Sequence, residues 1–276
     1  MKIIKKILHN PSAVAGLVLL LFICLCVTIG PLFTPSVTDQ NLLNQFASSS
    51  AEHPMGTDEF GRDVFARIVM GGRYTLISGI VSVILGLAVG IIMGAASGYY
   101  GGACDYIIMM ICDIMLAFPS VILAMAITIV LGSSMFTLMV AVGISSSPIF
   151  ARLVRAQFMS LRDATFVEAT RLSGASDLRI IFCHLLPNSM GPILIQGTLR
   201  IGSSILLAAT LSFLGLGVQP PTPEWGSMLN SARQYMWESP MLGVWPGLAI
   251  TVTVIAINLI GDALRDYLDP RTRSLL

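Results

Sequence analysis

The chain has 276 residues, of which 55% are hydrophobic and 11% are charged, and its formal net charge at pH 7 is +1. An ordinary soluble domain has about 25% charged residues, so this composition excludes a typical soluble protein and indicates one that resides in a lipid bilayer. The basic residues are dispersed, which excludes a nucleic-acid-binding patch, and the cysteines and histidines show neither a disulfide framework nor the spacing of a metal site.

Apolar runs of about 20 residues predict an all-α, polytopic membrane protein with six transmembrane helices, since a helix of that length crosses the hydrocarbon core. The predicted spans lie near residues 13–33, 75–97, 106–131, 135–154, 191–214 and 243–261. The first run follows Lys2, Lys5 and Lys6, but no small-residue cleavage site follows it, so it is predicted to be retained as a span. Six spans place both termini on one side, and the excess of Lys and Arg there predicts that both termini are cytoplasmic.

Residues 53–73, between the first and second predicted spans, have the pattern of an amphipathic helix on the outer membrane surface. Thr57 can cap its start, and the spacing of Asp58 with Arg62 and of Asp63 with Arg67 is that of (i, i+4) ion pairs. Two interpretations fit this pattern: a docking surface or gate on the outer face, or a helix that only rests at the interface.

The second predicted span carries a small residue at every fourth position, so the small residues share one helix face. The set is Ser78, Ser82, Gly86, Gly90, Gly94 and Gly98. Such a strip allows another helix to approach closely. It predicts either a seam between helices that slide during gating or a static packing contact.

Polar residues also occur inside the fourth and fifth predicted spans. Ser145 to Pro148 predict a kink at which hydroxyl groups bond the freed backbone carbonyls. Arg200 lies one turn after Gln196, and a charge in the middle of a bilayer is costly. Arg200 therefore predicts a role in a translocation path or at a subunit interface, unless the span boundary is misplaced.

The loop at 157–188, between the fourth and fifth predicted spans, is too polar to span and too patterned to be disordered. A first helix is predicted over 164–172, ended by Gly174 in a left-handed conformation. A second is predicted from Ser176 or Asp177 to His184 or Leu185, closed by Pro187. Its apolar face comprises Leu178, Ile181, Phe182 and Leu185, and part of that face needs a partner that buries it.

This loop resembles the EAA loop of ABC import permeases. The matching residues are Glu168-Ala169-Thr170, Gly174 and His184-Leu185-Leu186-Pro187, with Thr170 standing where the family usually has Ala. Four further segments resemble the second of the paired permease subunits of dipeptide, oligopeptide and nickel importers. They are GTDEFGRD (56–63), AFP (117–119), LSFLGLGVQPPTPEWG (211–226) and NLIGDALRDYLDP (258–270).

The resemblance implies a single permease domain over residues 1–276, with the type I ABC importer permease fold, in the inner (plasma) membrane and in contact with its lipid. It implies a heterodimer with a similar but distinct permease subunit. ATP and Mg would be bound by partner ABC ATPase subunits, because this chain has no GxxxxGK[ST] phosphate loop. The chain is therefore expected to be no enzyme and to hold no cofactor.

The resemblance also implies three sets of functional residues. The 157–188 loop, from here on the coupling loop, would insert into a cleft on an ATPase subunit through Glu168, Ala169, Gly174, Ala175, Leu178, His184 and Pro187. An extracytoplasmic substrate-binding protein would dock near Asp58, Arg62, Asp63 and Trp225. Gln196 and Arg200 are the predicted residues of the translocation path.

Nickel chelates and short peptides divide this family. Ala208 stands where peptide-type members often have a glutamate, and residues 232–237 and 263–270 look nearer to nickel-type permeases, which favours a nickel chelate over a peptide. The alternative class is an ion-coupled secondary transporter. That class would need ionisable relays or broken helices in corresponding halves of the chain, and no such repeat is visible.

Overall fold

The computed structural model describes residues 10–268, and within that range the chain is helical with no named strand. The helices are α1 (Pro11–Ile29), α2 (Val64–Tyr100), α3 (Gly102–Ala117), α4 (Ser120–Leu131), α5 (Met135–Leu161), α6 (Thr165–Leu172), α7 (Leu186–Phe213), α8 (Trp225–Ala232) and α9 (Met241–Leu268). Short 3₁₀ turns occupy Gly30–Leu32, Leu42–Asn44 and Arg233–Tyr235. The predicted all-α class is confirmed. The predictions for Lys2, Lys5, Lys6 and the last eight residues, 269–276, lie outside the described residues.

Between residues 10 and 268, five helical segments are long and apolar enough to cross a membrane, and the number rises to six if the bent pair α3 and α4 is counted as one span. The five segments are Pro11–Leu32, Val64–Tyr100, Met135–Leu161, Asp177–Phe213 and Met241–Asp266. Several are longer than the apolar runs that predict them, because the helix continues into the polar loops. The order of the predicted spans is retained.

The third predicted span, 106–131, is not one helix. The axes of α3 and α4 make an angle of 98° across the break between them. Phe118, at the break, is extended, with φ −90° and ψ 139°, since the residue before a proline is disfavoured in the helical region. Pro119 also has no N–H to continue the helical bonding. The largely apolar composition of 106–131 predicts one continuous span and conceals this break.

The small-residue face of α2 packs directly on α5, as its spacing predicts. An added Cβ at Gly86 would lie 2.8 Å from the Gly143 carbonyl oxygen, and one at Gly90 would lie 2.9 Å from that of Ser147. Ser78 and Ser82, one and two turns earlier, are fully buried. α2 and α5 are thus held so close together that their backbones are in direct contact.

The Pro148 site in α5 confirms the predicted role of the neighbouring hydroxyls. Proline at 148 cannot donate to the carbonyl of Ile144, four residues earlier. The Ser147 hydroxyl donates to that carbonyl instead, at 2.8 Å. α5 therefore continues through its proline as a single helix from Met135 to Leu161.

The helix order places the two described ends of the chain on the same side of the bundle as the coupling loop. The beginning of α1 lies against the end of α9, where Gly16 approaches Leu259. At the other end, Arg73 of α2 donates to the Val27 carbonyl at 2.6 Å. The far end of α2 meets the coupling loop, where Tyr99 donates to Asp177 at 2.7 Å. Both described ends of the chain therefore lie on one side of the bundle, as an even number of membrane crossings requires.

Candidate functional site

The first half of the coupling loop has the predicted conformation. α6 runs over Thr165–Leu172, within one residue of the predicted helix. Gly174 follows with φ +78°, a left-handed conformation that costs glycine little and other residues more. Its N–H donates to the Arg171 carbonyl at 3.0 Å and closes the helix. α5 extends to Leu161, beyond the predicted span end, so the projecting part of the loop begins near residue 162.

The second half differs from the prediction, because Pro187 does not close a helix. A helical turn, Asp177–Arg179, and a π-helical segment, Ile180–Leu185, run directly into α7. Pro187 lies in the first turn of α7, where a missing N–H is tolerated. The side chains of Asn188 and Ser189 donate to the carbonyls of His184 and Leu185 at 2.7 and 2.8 Å. The coupling loop is therefore joined to α7 without a break, and a movement of the loop can pass directly to that helix.

One face of the coupling loop is buried against the bundle. Its buried residues Val167, Ile180, Ile181 and Leu185 share a core cluster with Ala95, Val154, Phe158 and Ile193 of α2, α5 and α7. Val167, Ile180 and Leu185 are fully inaccessible. Ile181 and Leu185 are thus the part of the predicted apolar face that packs on the bundle, where they fix the loop to three membrane helices.

The opposite face leaves large apolar side chains exposed. Leu172 is 89% exposed, Leu178 65% and Phe182 57%. Of the predicted coupling residues, Glu168, Ala169, Gly174 and Pro187 are also exposed, and Ala175 and His184 are half-buried. Leu172 was not singled out by the sequence, because it falls outside the helical stripe of the second segment.

A polar tether that sequence analysis missed links α2 to the coupling loop. The Tyr99 hydroxyl donates to Asp177 at 2.7 Å, and the Arg171 guanidinium lies over the Tyr99 ring, 5.8 Å from its centroid. Arg171 and Asp177 flank Gly174. The tether therefore holds both sides of the loop's turn to the end of α2.

On the other side of the bundle, residues 30–63 and 214–240 form the loops that are predicted to lie outside, from here on the outer loops, and the predicted surface helix is absent there. α2 begins only at Val64, with Asp63 as its N-cap accepting from Ala66 at 2.6 Å. The predicted pair of Asp58 with Arg62 is present, at 2.7 Å. Arg67 pairs with Asp58 at 3.4 Å and not with Asp63, and it donates to the Val37 carbonyl at 3.0 Å.

The four residues predicted as a binding-protein surface are all buried within the chain. Asp58, Arg62, Asp63 and Trp225 are each at most 5% exposed. Buried charges are tolerated when paired, and this network pairs them. The four side chains thus hold the outer loops together and expose little surface of their own.

Glu224 joins the outer loops to α2 and is completely buried. It is the N-cap of α8 and accepts from the amides of Gly226 and Ser227 at 3.0 and 2.9 Å. Its carboxylate also accepts from the Thr75 hydroxyl of α2 at 3.0 Å. Burial raises the pKa of the Glu224 carboxyl above its ordinary value, although these hydrogen bonds act in the opposite direction.

This pKa shift gives a testable pH dependence. Between the ordinary pKa and the raised one, the folded state binds more protons than the unfolded state, so the free energy of unfolding falls as the pH rises through that window. Glu224→Gln removes the charge and keeps one acceptor oxygen for Gly226 and Thr75, but its NH2 group then faces the Ser227 amide. We therefore expect its thermal stability at pH 8 to lie between those of the wild type and Glu224→Ala, with a weaker pH dependence. Glu224→Ala leaves three donors unpaired and should lose about 2 kcal/mol.

Thermal unfolding in detergent at pH 5 and pH 8, followed by the fluorescence of the neighbouring Trp225, measures both variants. A glutamine variant as unstable as the alanine variant at pH 8 would show that the negative charge itself is needed.

A cavity of about 260 Å³ lies at the break between α3 and α4. It is lined by Met115, Leu116, Phe118, Ser120, Ser145, Ser146, Ile149, Arg200, Ser203, Ser204 and Leu207. Arg200 lies near the middle of α7. Gln196, the other predicted path residue, does not line the cavity. The hydroxyl-bearing residues are the part of this site that sequence analysis did not assign, although a run of serines beside Pro148 is a visible signal.

Comparisons with known proteins give a consistent result. Residues 86–274 match the family model of the binding-protein-dependent transport system inner membrane component, and residues 2–50 match that of the N-terminal transmembrane domain of oligopeptide transport permease C. A glutathione transport system permease protein of Pectobacterium atrosepticum is 47% identical over 96% of this chain and 89% of its own length. A dipeptide transport system permease protein of Alkalihalophilus pseudofirmus is 45% identical over 98% of this chain and 89% of its own.

Among solved structures, an inward-facing conformation of the MetNI methionine ABC transporter aligns with a TM-score of 0.57 at 19% identity. The alignment covers 74% of this chain and 96% of that one. At this identity the likeness concerns the fold alone, and it agrees with the type I importer permease fold expected from the sequence.

Proposed function

The chain belongs to the family of binding-protein-dependent transport system inner membrane components, and from that premise we propose that it moves short peptides through a path formed with a second permease subunit. It is a permease subunit of an ABC importer and not an enzyme, because its relatives are such subunits and ATP hydrolysis is carried out by separate ATPase subunits. The proposal extends to its substrate, to its partners and to the surface through which ATP hydrolysis drives it.

The exposed face of the coupling loop is the observation that carries the proposed link to the ATPases. Leu172, Leu178 and Phe182 expose apolar area beside the EAA-type residues Glu168 and Gly174. Exposed apolar side chains outside the membrane favour burial against a protein partner. The opposite face is fixed in the bundle core and continuous with α7. Such a loop acts as a rigid lever: when an ATPase subunit moves it, α2, α5 and α7 move with it.

Peptides are the substrate class that the relatives favour. Relatives 45–49% identical to this chain are named for dipeptide and glutathione transport, and glutathione is itself a tripeptide. The sequence-based preference for a nickel chelate rests on one position and two short segments, and none of these relatives is named for nickel. An ion-coupled secondary transporter receives no support from the same set.

The remaining partners follow from the same premise. An extracytoplasmic binding protein would deliver the peptide to the exposed parts of the outer loops, and the buried network of Asp58, Arg62 and Arg67 would keep those loops in shape. The inner membrane is the proposed location, with the coupling loop and both termini in the cytoplasm, as the distribution of Lys and Arg predicts.

Reconstitution tests this proposal directly. The chain, its partner permease, the ATPase subunits and the binding protein are placed in proteoliposomes and supplied with labelled dipeptides, labelled glutathione or a ⁶³Ni chelate. We expect uptake of a peptide that requires ATP. Uptake driven by an ion gradient without ATP, or ATP-driven uptake of the nickel chelate alone, would contradict the proposal.

A further inference from the structure

The cavity at the break between α3 and α4 carries a positive charge that the described chain does not neutralise. Arg200 is the only ionisable residue in its lining. Within residues 10–268 its guanidinium has neither an ion pair nor a side-chain hydrogen bond. An unpaired guanidinium inside a membrane segment is costly, so this lining favours an anionic group from outside the chain.

Three of the five serines in the lining use their hydroxyl protons inside the chain. Ser146 donates to the Gly143 carbonyl at 2.9 Å, and Ser203 donates to the Arg200 carbonyl at 3.0 Å. Ser145 likewise donates to the carbonyl of Ala141. Because the hydroxyl protons of Ser145 and Ser203 are used inside their own helices, the lone pairs of these two oxygens remain for a ligand that donates hydrogen bonds, whereas the Ser146 oxygen lies against Gly86 of α2. An ammonium group has three such donors.

The size and the remaining lining fit a whole small solute. The cavity measures about 260 Å³, well above the roughly 10–15 Å³ that a single water needs on the same measure. A single carboxylate side chain from a neighbouring subunit would leave most of that space empty. Met115, Phe118 and Leu207 add apolar surface at which the side chains of a solute can pack.

We propose that this cavity is a subsite of the translocation path for a zwitterionic peptide, with Arg200 binding the peptide carboxylate and the serine oxygens facing its ammonium group. The proposal rests on the function proposed above and names the groups that recognise the substrate. Arginine suits this task because its planar guanidinium binds a carboxylate through two parallel hydrogen bonds. The carboxylates of a metal chelate can bind an arginine in the same way, so the test includes a chelate as well as a peptide.

The first test compares a labelled dipeptide with the same dipeptide carrying a C-terminal amide, in proteoliposomes holding the whole importer. We expect Arg200→Gln to raise the KM for the free acid about tenfold or more, with little change for the amide. Arg200→Lys should retain part of the preference, since the charge stays but the two-point geometry is lost. The same binding protein serves every variant, so its own preference cancels in the comparison. A parallel arm uses the ⁶³Ni chelate.

Each alternative has its own signature. An equal loss for acid and amide would mean a structural role for Arg200 and would overturn the proposal. Failure of the partner permease to copurify with Arg200→Gln would show that Arg200 pairs with an acidic residue there, which also overturns it. If Arg200→Gln lost uptake of the chelate only, Arg200 would bind the carboxylates of a chelate, and the proposal of a peptide ligand would be wrong. A wild-type importer that transports no peptide with ATP would refute the proposed function instead.

A second test needs no transport. Ser203→Cys, in a complex whose native cysteines are replaced by serine, places a thiol in the exposed part of the lining. We expect an anionic thiosulfonate to modify it faster than a cationic one, and Arg200→Gln to remove that difference. A free-acid dipeptide should protect the thiol and its amide should not. Equal rates with both reagents, or no protection, would count against the subsite.

Discussion

A Gly90→Val variant is expected to lose most of its folded, detergent-soluble protein. A Cβ at this position would lie 2.9 Å from the Ser147 carbonyl oxygen and 3.0 Å from the Ala151 amide nitrogen. Both atoms are backbone of α5, so no side-chain rotation relieves the contact, and α2 and α5 must separate. Within a membrane, close packing is the main attraction between helices. We expect a destabilisation of about 3 kcal/mol or more, toward the upper end for overpacked sites.

Gly247→Val provides the matched control, because Gly247 also lies in a long helix but has no atom near an added Cβ. Valine has a slightly higher helix propensity than glycine, so a change in propensity alone would leave both variants as stable as the wild type or more so. Size-exclusion profiles and thermal unfolding of the two variants measure the difference. Equal stability would mean that α2 and α5 are less tightly packed than their geometry indicates.

The success of the small-residue prediction has a simple physical reason. A face of α2 that is small at every fourth position, from Ser78 to Gly98, encodes close approach in the periodicity itself, and no knowledge of the partner helix is needed. The end of α6 is equally local: a glycine after a short amphipathic helix predicts a left-handed residue, and Gly174 has one.

The outer loops were harder to predict, because a pattern of charges does not reveal whether the charges are solvated. Asp58 and Arg62 are spaced as an exposed helical ion pair would be, and in the structure they pair while buried. The partners of Arg67 are set by distant parts of the chain: it donates to the carbonyls of Val37 and Pro221. Glu224 meets Thr75 across 149 positions, and nothing near Glu224 in sequence indicates that contact.

The candidate sites divide in the same way. The coupling loop was located by residue types at fixed spacing, but its division into a buried and an exposed face depends on where α2, α5 and α7 stand. Arg200 was found because a charge in an apolar run is conspicuous. The cavity around it required the break at Phe118 and Pro119, together with serines of α4, α5 and α7.

The coupling loop should lose its ATPase partner when acidic residues replace exposed leucine and phenylalanine. Leu178 and Phe182 are 65% and 57% exposed and are absent from the described core clusters, so Leu178→Asp with Phe182→Asp should leave membrane insertion and thermal stability near the wild type. Burial of two such side chains contributes about 3 kcal/mol or more to an interface, and a buried unpaired carboxylate adds a further cost. That energy corresponds to a loss of affinity of more than about 100-fold.

We therefore expect the ATPase subunits to fail to copurify with the double variant, and ATP-driven uptake in proteoliposomes to be abolished. Leu43→Asp is the control, because Leu43 is 96% exposed but lies in the outer loops at the opposite end of α2. The same chemical change there should leave ATPase binding intact. Since Ile180, Ile181 and Leu185 fix the loop to the bundle independently of its exposed face, loss of binding in a stably folded protein would identify that face as the contact. If the double variant copurified with the ATPase subunits and took up substrate like the wild type, the exposed apolar face would not take part in coupling.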